Sequence, residues 1–224
     1  TDLSMNLILL LILCGLWGSS YMFIRVTVAE VPALTLVAGR LLFGAAVLWI
    51  LVRVSGQRMP RSRSLWGAYA VMGFLSGAVP WTLISWGEQY ISSGLASLLQ
   101  ATMPLFTILL AHFLATDEPI TWTKVLGVGI GFAGVVILLI PDLREGLHAH
   151  VLGQLAVGAS SASYAAAALF ARRWLRGQPA LLSATGQLIM GAVLMVPLSL
   201  ALDRPFQLSP SLGAWASWLA LVVL

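Results

Sequence analysis

The 224 residues are 59% hydrophobic and only 9% charged, with a mean hydropathy of +0.95, far from the roughly 25% charged content of a soluble domain. The net charge of +4 and the pI near 9.8 come from basic residues placed between apolar runs, which excludes a nucleic-acid-binding face and points to a membrane protein. Long uniform runs exclude an outer-membrane barrel, and the single cysteine, Cys14, excludes a disulfide or a cysteine-rich metal site.

Eight apolar spans follow one another: Leu7–Val28, Leu34–Val52, Leu65–Trp86, Gly94–Leu114, Val125–Ile140, Val151–Ala171, Leu181–Leu202 and one beginning at Leu212. The last is still apolar at Leu224, so a longer protein is expected. No basic n-region or small-residue cleavage site marks the first span, which reads as an uncleaved anchor.

In the first span Trp17, Tyr21 and Arg25 recur at i, i+4 and i+8 and form one column. Trp17, Ser20 and Tyr21 are candidates to line a cavity, and Arg25, one turn from the end, reads as an interfacial anchor. Arg40 lies about two turns, roughly 10 Å, inside the second span, too deep to stay unpaired. In the third span Pro80 breaks the helix beside a cavity, and Trp81, Ser85 and Glu88 share a face. Arg40 and Glu88 lie at similar depth, so Arg40 is expected to hold either Glu88 or a substrate carboxylate. Glu88 is expected to exchange a proton or take a substrate amine.

The fourth span carries Pro104 at its middle, among Ser97, Gln100, Thr102 and Thr107. A proline frees a carbonyl that in hydrocarbon must find a neighbouring helix, a water or a ligand, and Gln100 joins the candidate site. Gly127, Gly129, Gly131 and Gly134 of the fifth span form a literal G-x-G-x-x-G with no preceding strand, which reads as close helix packing and a homodimer contact. His112, His148 and His150 stand without a ligand set, so neither a metal nor a cofactor is indicated.

GRLLFGAAVL from Gly39 is answered by GQLIMGAVLM from Gly186 at a constant offset of 147, and Gly15, Ser20 and Tyr21 by Gly158, Ser163 and Tyr164. Five spans separate each pair, so the copies run in opposite directions, the inverted-repeat plan of many secondary transporters. Tyr164 and Gln187, the latter in the place of Arg40, complete the candidate site. Lys and Arg number eight in the connections after the second, fourth and sixth spans against two in the others, which puts the N-terminus in the cytoplasm.

LWGSSYMFIR in the first span, AGRLLFGA in the second, GEQYISSGLASLLQATMPLF joining the third and fourth, Asp117-Glu118 and LGVGIGFAGVVILL of the fifth together resemble the EamA-type, ten-span members of the drug/metabolite transporter superfamily. The resemblance implies an all-helical membrane bundle of two inverted five-helix repeats. Residues 1–140 form the first repeat, and 151–224 form the second, cut in its third helix. It implies a bacterial inner-membrane transporter, frequently an exporter, with a central cavity between the repeats.

The function expected is secondary transport of a small metabolite by alternating access, foremost export of amino acids or related amphipathic solutes, with a proton or an exchanged counter-solute as coupling partner. Multidrug or organic-cation efflux and sugar import share the fold. A membrane-embedded enzyme is disfavoured because no HExxH helix or transmembrane aspartate pair is present. A non-transporting scaffold has little reason to keep a buried arginine.

Overall fold

The computed structural model describes the backbone of residues 2–114, 121–144 and 148–223 and the side chains of residues 5–112, 121–140 and 148–222. The first two apolar runs form α1 (Asp2–Val28) and α2 (Ala33–Val54). The third run is α3 (Arg63–Met72), a π-helical stretch (Gly73–Ala78) and α4 (Val79–Gly87), and the fourth is α5 (Ser93–Gln100) followed by α6 (Met103–Leu114). Then come α7 (Trp122–Arg144), α8 (Ala149–Trp174), α9 (Ala180–Leu202) and α10 (Leu212–Val223). Asp117 and Glu118 lie outside the described residues.

Six of these helical segments are long and apolar enough to cross a membrane, and the chain is a multi-pass helical bundle. α10, with 12 residues, is shorter. α8 has the length, 26 residues, but not the apolarity, because it buries Gln154, Ser160 and Ser161 against other helices. A helix encased in protein meets polar partners instead of lipid.

Both breaks in the fold are made by prolines and mended by α8. Pro80 has no N–H, and ahead of it the ladder widens so that the Val79 N–H reaches back to the Phe74 carbonyl. The next carbonyl, that of Leu75, would need a proton from Pro80, and it accepts one instead from the Ser163 hydroxyl at 2.7 Å. Pro104 likewise strands the Gln100 carbonyl. α5 stops at Gln100 and α6 resumes at Met103, while the Ser161 hydroxyl donates to the Leu99 carbonyl at 3.2 Å and reaches that of Gln100 at 3.5 Å. The Pro104 ring itself is exposed, whereas Pro80 is buried.

α2 and α9 pack along one another through small residues. A methyl group on Gly44 would sit 3.3 Å from Leu188 Cδ1, and one on Gly191 would sit 3.0 Å from Leu41 Cδ2. Each contact is the other shifted by 147 residues, the reciprocity of a two-fold, self-complementary interface. The same exchange recurs further out. Gly39 lies under the Trp218 ring of α10, and Gly186 lies under the Tyr69 ring of α3, where a methyl would come within 2.2 and 2.3 Å of ring atoms. Since lipid is as apolar as leucine, close packing of this kind holds a membrane bundle together where water-driven burial does not.

Candidate functional site

Arg40 is brought into the interior by α2 and half-buried there. Its guanidinium carbon stands 4.1 Å from the centre of the Trp81 ring on α4, a cation–π contact worth about 2 kcal/mol when water is excluded. The phenols of Tyr21 on α1 and Tyr164 on α8 are its electrostatic neighbours, and the Trp81 indole is in turn a neighbour of Tyr164. Four helices thus converge on one cation, which has no carboxylate partner among the described residues. Three aromatic faces and a guanidinium suit a solute with an anionic end and an apolar body.

The expected pairing of Arg40 with Glu88 does not form. Depth along the membrane normal placed the two together, but their neighbours differ. Glu88, fully buried at the end of α4, lies nearest Arg25 and Ser93. Arg25 is not a free interfacial anchor. Its guanidinium donates to the Glu88 backbone carbonyl and, at 3.3 Å, to the Ile91 carbonyl, closing the last turn of α4 from a neighbouring helix. The end of α4 lies close on α8 at a glycine pair: a methyl on Gly87 would fall 2.7 Å from Val157 Cγ2 and 2.8 Å from the Gly153 carbonyl.

The other candidates divide. Ser85 is fully buried one turn before Glu88. The Gln100 amide lies 2.8 Å from the Ser160 hydroxyl and the Gln187 amide 3.2 Å from that of Ser76 in the π-helical stretch, so both amides brace helix contacts. Ser20 spends its hydroxyl on the Leu16 carbonyl of its own helix. Trp17 stands apart from the cluster, 63% exposed, because that half of α1 is exposed along its length. In α7, Gly131 receives Leu105 of α6, while Gly127 and Gly129 meet nothing.

Sequence reasoning missed Ser160, Ser161 and Ser163. The run SSAS was visible, but serines in an alanine-rich helix read as small packing residues rather than as donors for carbonyls freed by prolines on other helices. It also missed the cleft of about 600 Å³ lined by Arg25, Glu30, Pro32 and Gln89, the last of these the residue that follows Glu88.

Residues 4–140 match the EamA-like transporter family. The chain is similar to the uncharacterized inner membrane transporter YedA of Escherichia coli K12, 29% identical over 202 residues, covering 89% of this chain and 63% of that protein. It is similar to the uncharacterized transporter YoaV of Bacillus subtilis, 23% identical over 184 residues, 82% of this chain and 63% of that protein. A third relative is a probable terminal-alkyne amino-acid exporter of Streptantibioticus cattleyicolor, 31% identical over 124 residues, 55% of this chain and 41% of that protein. The chain spans about 63% of the length of the first two relatives.

Proposed function

Because the chain belongs to the EamA-like transporter family, we propose that it forms the larger part of a secondary transporter of the inner membrane that exports amino acids or related amphipathic metabolites by alternating access. The observation that carries this reading is Arg40, a cation inside the bundle stacked on Trp81 and without a carboxylate of its own among the described residues. A half-buried cation without a counter-charge loses part of its hydration, and an anionic solute offsets that loss when it binds. Arg40 takes the solute carboxylate, Trp81 holds the guanidinium flat, and Tyr21 and Tyr164 face the solute body. The similarity to an exporter named for amino acids supports the solute class. The arginine-rich connections face the cytoplasm in this reading.

The test is counterflow of labelled amino acids, sugars and organic cations in proteoliposomes holding the full-length protein. Saturable flux of an amino acid is expected, lost in Arg40→Ala and partly kept in Arg40→Lys, which retains the charge but not the flat stack. Wild-type flux in Arg40→Ala removes Arg40 from the site. Flux confined to cations or sugars overturns the solute class, and no flux from correctly inserted protein overturns transport.

A further inference from the structure

Hydroxyls in this bundle almost all find a carbonyl. Ser20, Thr27, Ser76, Thr107 and Thr185 each bond back along their own helix at 2.7–3.2 Å. Among the described residues Tyr69 on α3 and Ser183 on α9 are single exceptions, and α4 carries a group of them. Thr82 Oγ1, Ser85 Oγ and both carboxylate oxygens of Glu88 are buried with no hydrogen-bond partner among the described residues. A buried polar atom left unmatched costs about 1–3 kcal/mol, so a file of them at i, i+3 and i+6 requires an explanation.

The surroundings withhold partners from Glu88 although donors are close. Ser93, an electrostatic neighbour of Glu88, gives its hydroxyl proton to the Tyr21 carbonyl at 3.2 Å, and Arg25 gives its own to the carbonyls of Glu88 and Ile91. Other charged or titratable groups around this end of α4 are Tyr21 on α1, Arg40 on α2, and Tyr164 and His150 on α8. His150 bonds the Gln154 amide at 3.2 Å. Glu30, which lines the same cleft as Arg25 and Gln89, is a second carboxylate, and the Ser211 N–H and hydroxyl hold it at 2.6 and 2.7 Å. At about 1.5 Å of rise per residue the three polar side chains are about 4.5 Å apart along the helix, a step that one water bridges. The file starts beside the cleft lined by Arg25 and Gln89 and ends next to Trp81.

We propose that Thr82, Ser85 and Glu88 line a hydrated proton path along α4, joining the Arg25–Gln89 cleft to the Arg40–Trp81 site, with Glu88 as the group that takes and releases the proton. A hydronium ion on the cleft side transfers a proton to a Glu88 oxygen and is left as water, and the carboxylate becomes a neutral acid. That acid later returns the proton to a water held by Ser85, and the carboxylate is restored. The inference deepens the transport reading by naming its coupling ion, and it stands or falls on measurements that need no solute.

Infrared difference spectra of the full-length protein, recorded through a pH titration, are expected to show a carboxylic acid band that is lost in Glu88→Gln. In a Cys14→Ser background, Ser85→Cys and Thr82→Cys are expected to react with a small charged thiol reagent, and Ala96→Cys, buried in a dry cluster, is expected not to react. Persistence of the titrating band in Glu88→Gln, or inert thiols at both positions in inserted protein, overturns the path. If sodium rather than acid changes the Glu88 band, the site holds a metal cation and the proton assignment fails. Solute-driven acidification of proteoliposomes, lost in Glu88→Gln, then links the path to transport. Solute flux without acidification would overturn the coupling role of the path and leave the transport reading standing, whereas a titrating Glu88 with no solute flux would sink the transport reading and leave the path standing.

Discussion

The two ends of the seam between α2 and α9 are held by different sets of contacts. At the end carrying residues 29–32 and 203–211, the Asp203 carboxylate accepts from the Thr35 N–H and hydroxyl at 2.8 and 2.9 Å, and the Glu30 carboxylate accepts from the Ser211 N–H and hydroxyl at 2.6 and 2.7 Å. Each carboxylate serves a helix start, that of α2 or that of α10, where amide protons have no partner within the helix. At the arginine-rich end Tyr69 lies on Gly186 with Ser183 beside its hydroxyl, and the described carboxylates, Glu30, Glu88 and Asp203, are all elsewhere. Ring-on-glycine packing occurs at both ends, Trp218 on Gly39 and Tyr69 on Gly186, and the first end adds charge-assisted hydrogen bonds. The first responds to protons and competing ions, whereas the second responds only to shape.

The largest effects are expected where a ring lies directly on a glycine. Gly186→Ala places a methyl 2.3 Å from Tyr69 and forces the ring away, an overpacking cost of about 1–3 kcal/mol. Gly39→Ala meets Trp218 at 2.2 Å and also disturbs the bond from the Trp218 indole to the Leu36 carbonyl at 3.0 Å, so a loss in the same range is expected. Thermal unfolding followed by tryptophan fluorescence checks both. An unchanged midpoint in Gly186→Ala would show that this end is not closed by the ring.

How far the sequence reached follows from what hydropathy and periodicity measure. Hydropathy reports depth, so the spans, the two proline breaks and the interior position of Arg40 were legible. Periodicity reports which face of one helix a residue occupies, so Trp81, Ser85 and Glu88 were placed on a shared face of α4. Neither reports which helix stands opposite. Arg40 and Glu88 therefore looked like partners at equal depth, while the bundle gives Trp81 to one and the surroundings of Arg25 to the other. The repeat offset was the exception. It is a relation between helices, and the reciprocal contacts of Gly44 with Leu188 and Gly191 with Leu41 have the same form.

Asp203 tests whether the ends are separate. Asp203→Ala removes the acceptor for the Thr35 amide and hydroxyl and is expected to cost about 1–2 kcal/mol, the range of a lost helix cap. Combined with Gly186→Ala, at the far end of the seam, the losses are expected to add. Combined with Gly39→Ala, one turn from Thr35, they are expected to depart from additivity, because both changes loosen the start of α2. Equal coupling in the two double mutants would mean that the seam yields as one rigid body and that its ends are not independent.

The smallest effect is expected at Glu30, which is exposed and screened by solvent. The two donors of Ser211 hold its carboxyl below the ordinary carboxylate range. A depressed folded value means that the tie between the α1–α2 connection and the start of α10 is complete above the ordinary value and is lost as the pH falls through the depressed one. Spin labels at Ala29→Cys and Leu212→Cys, in a Cys14→Ser background, are expected to move apart on that acid limb, and Glu30→Gln is expected to remove the response. The same labels with Asp203→Ala separate the two carboxylates: if Glu30 alone fastens α10, the acid limb survives the loss of Asp203. An acid limb that persists in Glu30→Gln and vanishes in Asp203→Ala would transfer the proton sensitivity of this end to the cap of α2.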